Sequence, residues 1–272
     1  KIYLLNESEG MSDLNVSAIA VTKTNVVLAG TDQGINICSI SGNKKTIAVI
    51  GPGQGLPDYI VTSIESAGND LFWVGMQDKG FCLYDHLTKK IKTTAAINGW
   101  NHGQINSMIV DDNTLWIATQ LHGLLKYNIR TDSISTVKET GEFLSIKNLL
   151  KDNQGNIWLT SPEWGLIRTP GETLKLFPLT DPPIFEHIHT ILSDKEGNIW
   201  VNDEDNRIVK YSLKNGIYLP HKITLNGLTE KTDITSLYLD EFGNIWIGTM
   251  GKGIYILDPK TEKYRVFTEN EV

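Results

Sequence analysis

Cysteine is scarce. Cys38 and Cys82 are the only two in 272 residues, too few for a disulfide framework and without the paired spacings of a zinc site. Both are expected as free, partly buried thiols, and their separation places them on neighbouring repeats. Long apolar runs are missing too, since none approaches the roughly 18 residues a membrane helix needs. Clusters of basic residues are absent: 25 Lys and Arg face 32 Asp and Glu, a formal charge of −7. An acidic surface without a basic patch repels phosphate backbones, which argues against nucleic acid as a partner. The opening stretch Lys1-Ile2-Tyr3-Leu4-Leu5 runs straight into Asn6-Glu7-Ser8-Glu9, which is not the shape of a signal peptide. With Lys rather than Met in first place, the chain reads as an excised piece of a longer protein.

What is present is a repeat. Gly155-Asn156-Ile157-Trp158-Leu159, Gly197-Asn198-Ile199-Trp200-Val201 and Gly243-Asn244-Ile245-Trp246-Ile247 share one pattern, joined by Asn113-Thr114-Leu115-Trp116-Ile117 and Asn69-Asp70-Leu71-Phe72-Trp73-Val74. A degenerate copy, Asn25-Val26-Val27-Leu28-Ala29, has Leu28 in the Trp position. The anchors at 28, 73, 116, 158, 200 and 246 recur every 42 to 46 residues. Before each anchor lies an apolar run such as Val61-Thr62-Ser63-Ile64 and then a polar turn such as Asp194-Lys195-Glu196-Gly197-Asn198. Asp opens such a turn by accepting backbone hydrogen bonds, and Gly and Asn tolerate the positive φ of a tight hairpin. The Trp strand is apolar on both faces, as a strand buried on both sides must be. A short loop then ends in Gly34, Gly80, Gly123, Gly165 or Gly253, a third strand follows, and a fourth alternates like Lys263-Tyr264-Arg265-Val266-Phe267.

Units of this length with four antiparallel strands are propeller blades, and a lone blade cannot bury two apolar faces, so blades stack. The expected fold is an all-β β-propeller over 1–272. Its outer strand lies at 1–6 and its blades at about 12–50, 57–95, 103–138, 144–178, 186–224 and 232–268. The first and last segments both read as outermost strands. One outer strand is therefore surplus to a closed six-bladed ring, which favours part of a seven-bladed ring or a longer array.

Gly243 to Thr249, followed by Gly253-Ile254-Tyr255, Asp258, Thr261 and the Tyr264–Phe267 strand, resembles the two-component regulator propeller repeat; the lead-in Gly55-Leu56-Pro57 fits as well. The resemblance spans essentially the whole chain. It implies the extracytoplasmic input region of an inner-membrane hybrid sensor histidine kinase, often responsive to oligosaccharides. Neighbouring propeller, β-sandwich, membrane and kinase segments would then lie elsewhere in the same protein. It further implies a fragment that is not itself catalytic, without direct membrane contact, whose partners are an oligosaccharide or other small extracellular ligand, its neighbouring domains and, as a candidate, a second copy.

Function on a repeat resides in the exceptions. Trp100, in Asn98-Gly99-Trp100-Asn101-His102, lies between blades. Trp164, in Ser161-Pro162-Glu163-Trp164-Gly165, lies in a loop between second and third strands. A loop Trp offers a flat face with an N–H at its edge, suited to a sugar ring or a partner surface, or it plugs the gap between blades. The ligand candidates are Trp100, His102, His122, Glu163, Trp164, His187, Asp203, Asp205 and Arg207. His187 and His189 would share a strand face but lack a third metal ligand, since Glu186 alternates away. Asp203-Glu204-Asp205 suggests Ca²⁺ or a sugar hydroxyl less than a solvated acidic loop. No catalytic residue, metal or cofactor is assigned. A sialidase would need three convergent arginines, and only Arg207 of the four present is suitably placed. A streptogramin-lyase-like enzyme is the remote alternative and a docking or dimerisation scaffold the nearer one.

Overall fold

In a computed structural model of the chain, the described residues are 5–42, 44–140, 145–169, 188, 190–202, 208–228 and 234–268. They fold into antiparallel sheets with short 3-10 turns between them. Blade one holds β1 (Val16–Val21), β2 (Val27–Thr31), β3 (Gly34–Ser41) and β4 (Lys44–Ile50). Blade two holds β5 (Val61–Gly68), β6 (Leu71–Met76), β7 (Phe81–Asp85) and β8 (Lys90–Lys92). Blade three holds β9 (Ile105–Asp111), β10 (Thr114–Thr119), β11 (Leu124–Asn128) and β12 (Ser133–Thr136). The described strands of blade four are β13 (Asn148–Lys151), β14 (Ile157–Ser161) and β15 (Gly165–Thr169). Blade five holds β16 (Ile191–Ser193), β17 (Ile199–Asn202), β18 (Ile208–Lys214) and β19 (Ile217–Ile223). Blade six holds β20 (Ile234–Leu239), β21 (Ile245–Thr249), β22 (Ile254–Leu257) and β23 (Tyr264–Phe267). Strand order within each sheet follows the chain, a meander of hairpins. The chain is all-β, a six-bladed β-propeller in class, with blades one to three in one compact unit (1–145) and four to six in another (146–272).

The Asp that opens each turn in blades four to six does more than start a hairpin. One oxygen of Asp152 accepts the backbone N–H of Gln154 at 2.9 Å and of Asn156 at 2.8 Å, and the other accepts the indole N–H of Trp158 at 2.8 Å. Asp194 repeats this with Glu196, Asn198 and Trp200, and Asp240 holds Trp246 at 3.0 Å. The carboxylate thus ties the turn to the core indole six residues further along the chain. Burial pushes the carboxyl of Asp152 up, but hydrogen bonds from Trp158, Asn156 and backbone amides outweigh it, leaving the group below the usual range. Blades two and three turn differently. Asn69 and Asp70 both have positive φ (53° and 57°), the signature of a two-residue hairpin, and Ala67 and Val110 stand where the clasping Asp would be. The indole N–H groups of Trp73 and Trp116 accordingly have no hydrogen-bond partner among the described residues.

In blades three to five the third strand sets a cation opposite the anchor. Lys126 Nζ lies 4.6 Å from the Trp116 ring centroid and Lys210 Nζ lies 5.1 Å from that of Trp200. The Arg168 guanidinium sits 5.7 Å from Trp158 and 5.8 Å from Tyr218, within cation–π range. The glycine that starts the third strand serves close approach: a methyl on Gly34 or Gly253, both at positive φ, would strike the backbone carbonyl of Ile50 or Phe267, where the fourth strand ends.

The Trp strand is buried along nearly its whole length in blades one to five, but in blade six it alternates: Ile245 and Ile247 are buried while Trp246 and Gly248 are partly open. Cys38 and Cys82 are free and buried on blades one and two.

Replacing Asp194 by Ala strands the buried Trp200 indole N–H and two turn amides. Urea unfolding should show a loss of about 2–4 kcal/mol, whereas Val110→Ala, at the equivalent position in blade three, should cost far less.

Candidate functional site

Trp100 follows the 3-10 turn Ala95–Ile97 and is half-buried against blades two and three. Its ring meets Phe81 edge-on, centroids 6.1 Å apart at 82°, and its Nε1 donates to the Gly103 carbonyl at 2.9 Å. A methyl on Gly80 would lie 3.0 Å from the indole. Trp100 therefore plugs the gap between two blades, with its polar edge already engaged.

Two of the other candidates gather behind it. The His102 ring stands 4.9 Å from Trp100 at 72°, and the His122 ring stands 4.9 Å from His102 at 87°. His122 is carried by the β10–β11 loop, where its backbone N–H donates to Thr119 Oγ1 at 3.0 Å and that hydroxyl donates to the Gly123 carbonyl at 2.9 Å. Nδ1 of each imidazole is buried without a hydrogen-bond partner among the described residues. Burial, and then the neighbouring His122, hold the His102 imidazole below its ordinary value, so it is neutral at pH 7. The arrangement is a ladder of three rings in edge-to-face contact.

Trp164 is different. It stands at the tip of the β14–β15 loop with 57% of its surface exposed. The short turn Ser161–Gly165 is braced from below: Ser161 Oγ donates to Glu163 Oε2 at 2.8 Å, and the Glu163 N–H donates weakly back to Ser161 Oγ at 3.3 Å. Glu163 is thereby folded onto its own loop and the indole is left presented. Trp164 belongs to the second unit and the Trp100 ladder to the first. His187, Asp203, Asp205 and Arg207 lie outside the described residues, as do Glu186, His189 and Glu204.

Glu65 was not among the candidates. It pairs across the sheet with Trp73, and burial drives its carboxyl up to about 7 despite a hydrogen bond from the Val110 backbone amide. The signal was there: the residues paired with the other anchors are Ala20, Ile109, Leu150, Leu192 and Tyr238, and only blade two has a carboxylate. Burial also pushes the Cys82 thiol up to about 12, which keeps it protonated and unreactive. A cavity of about 350 Å³ lies between the turns of blades five and six, lined by Lys195, Glu196, Phe242 and Lys260. The carboxylates of Asp194 and Asp258 on its wall already accept turn hydrogen bonds. No three or more His, Cys, Asp or Glu side chains among the described residues are grouped to hold a metal ion, and none of the described helices is long and apolar enough to cross a membrane.

The meander blades and their Trp anchors define a β-propeller of repeated blades. Residues 227–251, which hold β20 and β21 of blade six, match the family model described as Two component regulator propeller. A search of curated protein sequences returns no match. Among solved structures, the chain is similar to the extracellular domain of the putative hybrid two component system BT4673 from B. thetaiotaomicron, with 17% identity and a TM-score of 0.78, covering 97% of this chain and 38% of that one. The corresponding domain of BT3049 from the same organism matches at 16% identity and TM-score 0.75, covering 98% and 36%. PorZ, a surface component of the type-IX secretion system of Porphyromonas gingivalis, matches at 13% identity and TM-score 0.67, covering 97% and 43%. The chain thus spans less than half the length of these structures, and at such identities the likeness is one of fold.

Two outcomes follow. Trp100→Ala should lower stability by about 3 kcal/mol or more in urea, whereas Trp164→Ala should stay within about 0.5 kcal/mol of the parent. For Glu65 the folded value of about 7 lies above the reference value of 4.5. The folded state therefore holds the proton longer, and stability is full below the lower value and falls as pH rises to the higher one. Thermal melts across that window should show this decline, and Glu65→Gln should flatten it.

Proposed function

We propose that this chain is a ligand-sensing, non-catalytic propeller domain of a hybrid two-component sensor histidine kinase, on the extracytoplasmic side of the inner membrane, and that it responds to an oligosaccharide through Trp164. The observation that carries the reading is the exposure of that single indole on a braced loop, while the other indoles are packed into or against blades. A rigid, amphipathic aromatic face stacks on the apolar face of a sugar ring, and its N–H reaches a hydroxyl. The fold supports the reading, because the BT4673 and BT3049 structures are extracellular domains of putative hybrid two component systems. His187, Asp203, Asp205 and Arg207 remain proposed contacts from their place in the sequence alone. Binding would act on the rest of the sensor by favouring one arrangement of neighbouring domains over another, since a ligand biases only states it binds unequally.

A thermal-shift screen against a library of oligosaccharides tests this. A binding glycan at about 100 times its Kd should stabilise the protein by about 2.7 kcal/mol, and Trp164→Ala should abolish the shift while leaving the ligand-free melt unchanged. No shift with any glycan, or an undiminished shift in the Trp164 variant, would overturn the assignment.

A further inference from the structure

The path from blade two into blade three crosses a short strap with a glycine at each end. Gly99 and Gly103 both have positive φ, 74° and 73°, and between them stand Trp100, Asn101 and His102. The strap is pinned on either side. The Trp100 N–H donates to the Ile97 carbonyl at 3.0 Å, and the Gln120 N–H of the β10–β11 loop donates to the Gln104 carbonyl at 2.9 Å. Side chains hold what lies between. Trp100 fills the gap beside Phe81 and Gly80, His102 meets Trp100 and His122, and a methyl on Gly103 would lie 2.8 Å from Leu121 Cγ. A methyl on Gly99 would meet nothing within 4 Å, so the strap has room to turn at that end.

Two imidazoles fasten the strap to blade three, and neither has anywhere to put a second proton. An imidazolium carries an N–H on both nitrogens, whichever tautomer it came from. Nδ1 of His102 and Nδ1 of His122 are both buried without a hydrogen-bond partner among the described residues. The charged form of either ring therefore holds a buried donor with no acceptor, which is costly. The ring centroids are 4.9 Å apart, and two cations at that separation repel. No carboxylate offsets this. Neither the strap nor the β10–β11 loop carries one. The β6–β7 loop brings Asp78 and Lys79, both exposed, and the Asp132 carboxylate accepts the Ala95 N–H at 3.1 Å. The one charged group that acts on the His102 ring is His122.

We propose that the strap is a proton-operated latch: with both imidazoles neutral it holds Trp100 between blades two and three, and protonation of the His102–His122 pair turns His102 out to water about Gly99 and draws Trp100 from the gap. Burial and then His122 hold the His102 imidazole below its ordinary value of 6.5. The closed strap is accordingly favoured in full above that value, and loses the advantage as pH falls below it. Glu65, at the same joint, weakens the fold in the opposite direction, as pH rises. The two titrations are thus separable.

Nuclear magnetic resonance of the tryptophan indole N–H groups tests this at about pH 7.5 and about pH 5, either side of the imidazole range. It is run on the parent and on Glu65→Gln, which removes the carboxyl. The Trp100 signal is assigned by its loss in Trp100→Phe. On acidification its broadening by a soluble paramagnetic chelate should rise several-fold, because the indole comes into water. The signals of Trp158 and Trp200, bonded to Asp152 and Asp194, should stay protected. His102→Phe and His122→Phe each keep a ring in the contact and remove a proton site, so each should hold Trp100 protected at the lower pH. Melts at the higher pH check that both variants fold, and the parent titration stands without them. A Trp100 signal equally protected at both pH values, one released to the same extent in both Phe variants, or one released only together with Trp158 and Trp200 would overturn the proposal.

Discussion

A sheet with two apolar faces cannot stand alone, and from blade one to blade three this molecule meets that constraint at a point used twice, where a β-branched side chain enters the space left by a glycine in the preceding blade. Val61 over Gly30 and Ile105 over Gly75 bring neighbouring sheets close enough for whole clusters to merge, such as the one running from Leu28 and Ile35 through Val61 to Phe72 and Tyr84. Packing at that density tolerates neither a gap nor an added methyl. The clasp between Asp and indole acts within a blade, in blades four to six, and ties each of those anchors to its own turn.

The same constraint explains what was readable from the sequence. Anchor spacing and hairpin turns are written locally in each repeat, and the fold class they imply, an all-β propeller, is the one observed. The glycine ahead of the third strand was visible as a position, but its reason, the arrival of the Ile50 or Phe267 carbonyl, comes from a strand still to follow in the chain. The Asp to Trp bond was written as Asp six residues before Trp at 152, 194 and 240. It was hidden by the ordinary turn chemistry of the same residue. Blade six departs from the expectation that anchor strands are buried on both faces: Trp246 and Gly248 are partly open there, while Ile245 and Ile247 are buried.

For the candidate site the local text was ambiguous in a way only packing resolves. Trp100 and Trp164 look alike as loop tryptophans. Phe81 and Gly80, which belong to another blade, make the first a plug. Trp164 has no such ring contact among the described residues and stands exposed beside the Ser161–Glu163 brace. Glu65 shows the converse: a carboxylate on a blade-two strand becomes half-buried, with the Val110 backbone of blade three against it.

The division among the indoles also has an optical consequence. Trp158 and Trp200 are sealed in the core with a cation and a carboxylate at fixed positions, surroundings that hold their emission steady while the fold is intact. Trp164 alone looks out into water from a loop. The protein therefore carries its own red-edge reporter against a blue internal standard, and whatever settles on that loop changes the ratio of the two without a label being attached.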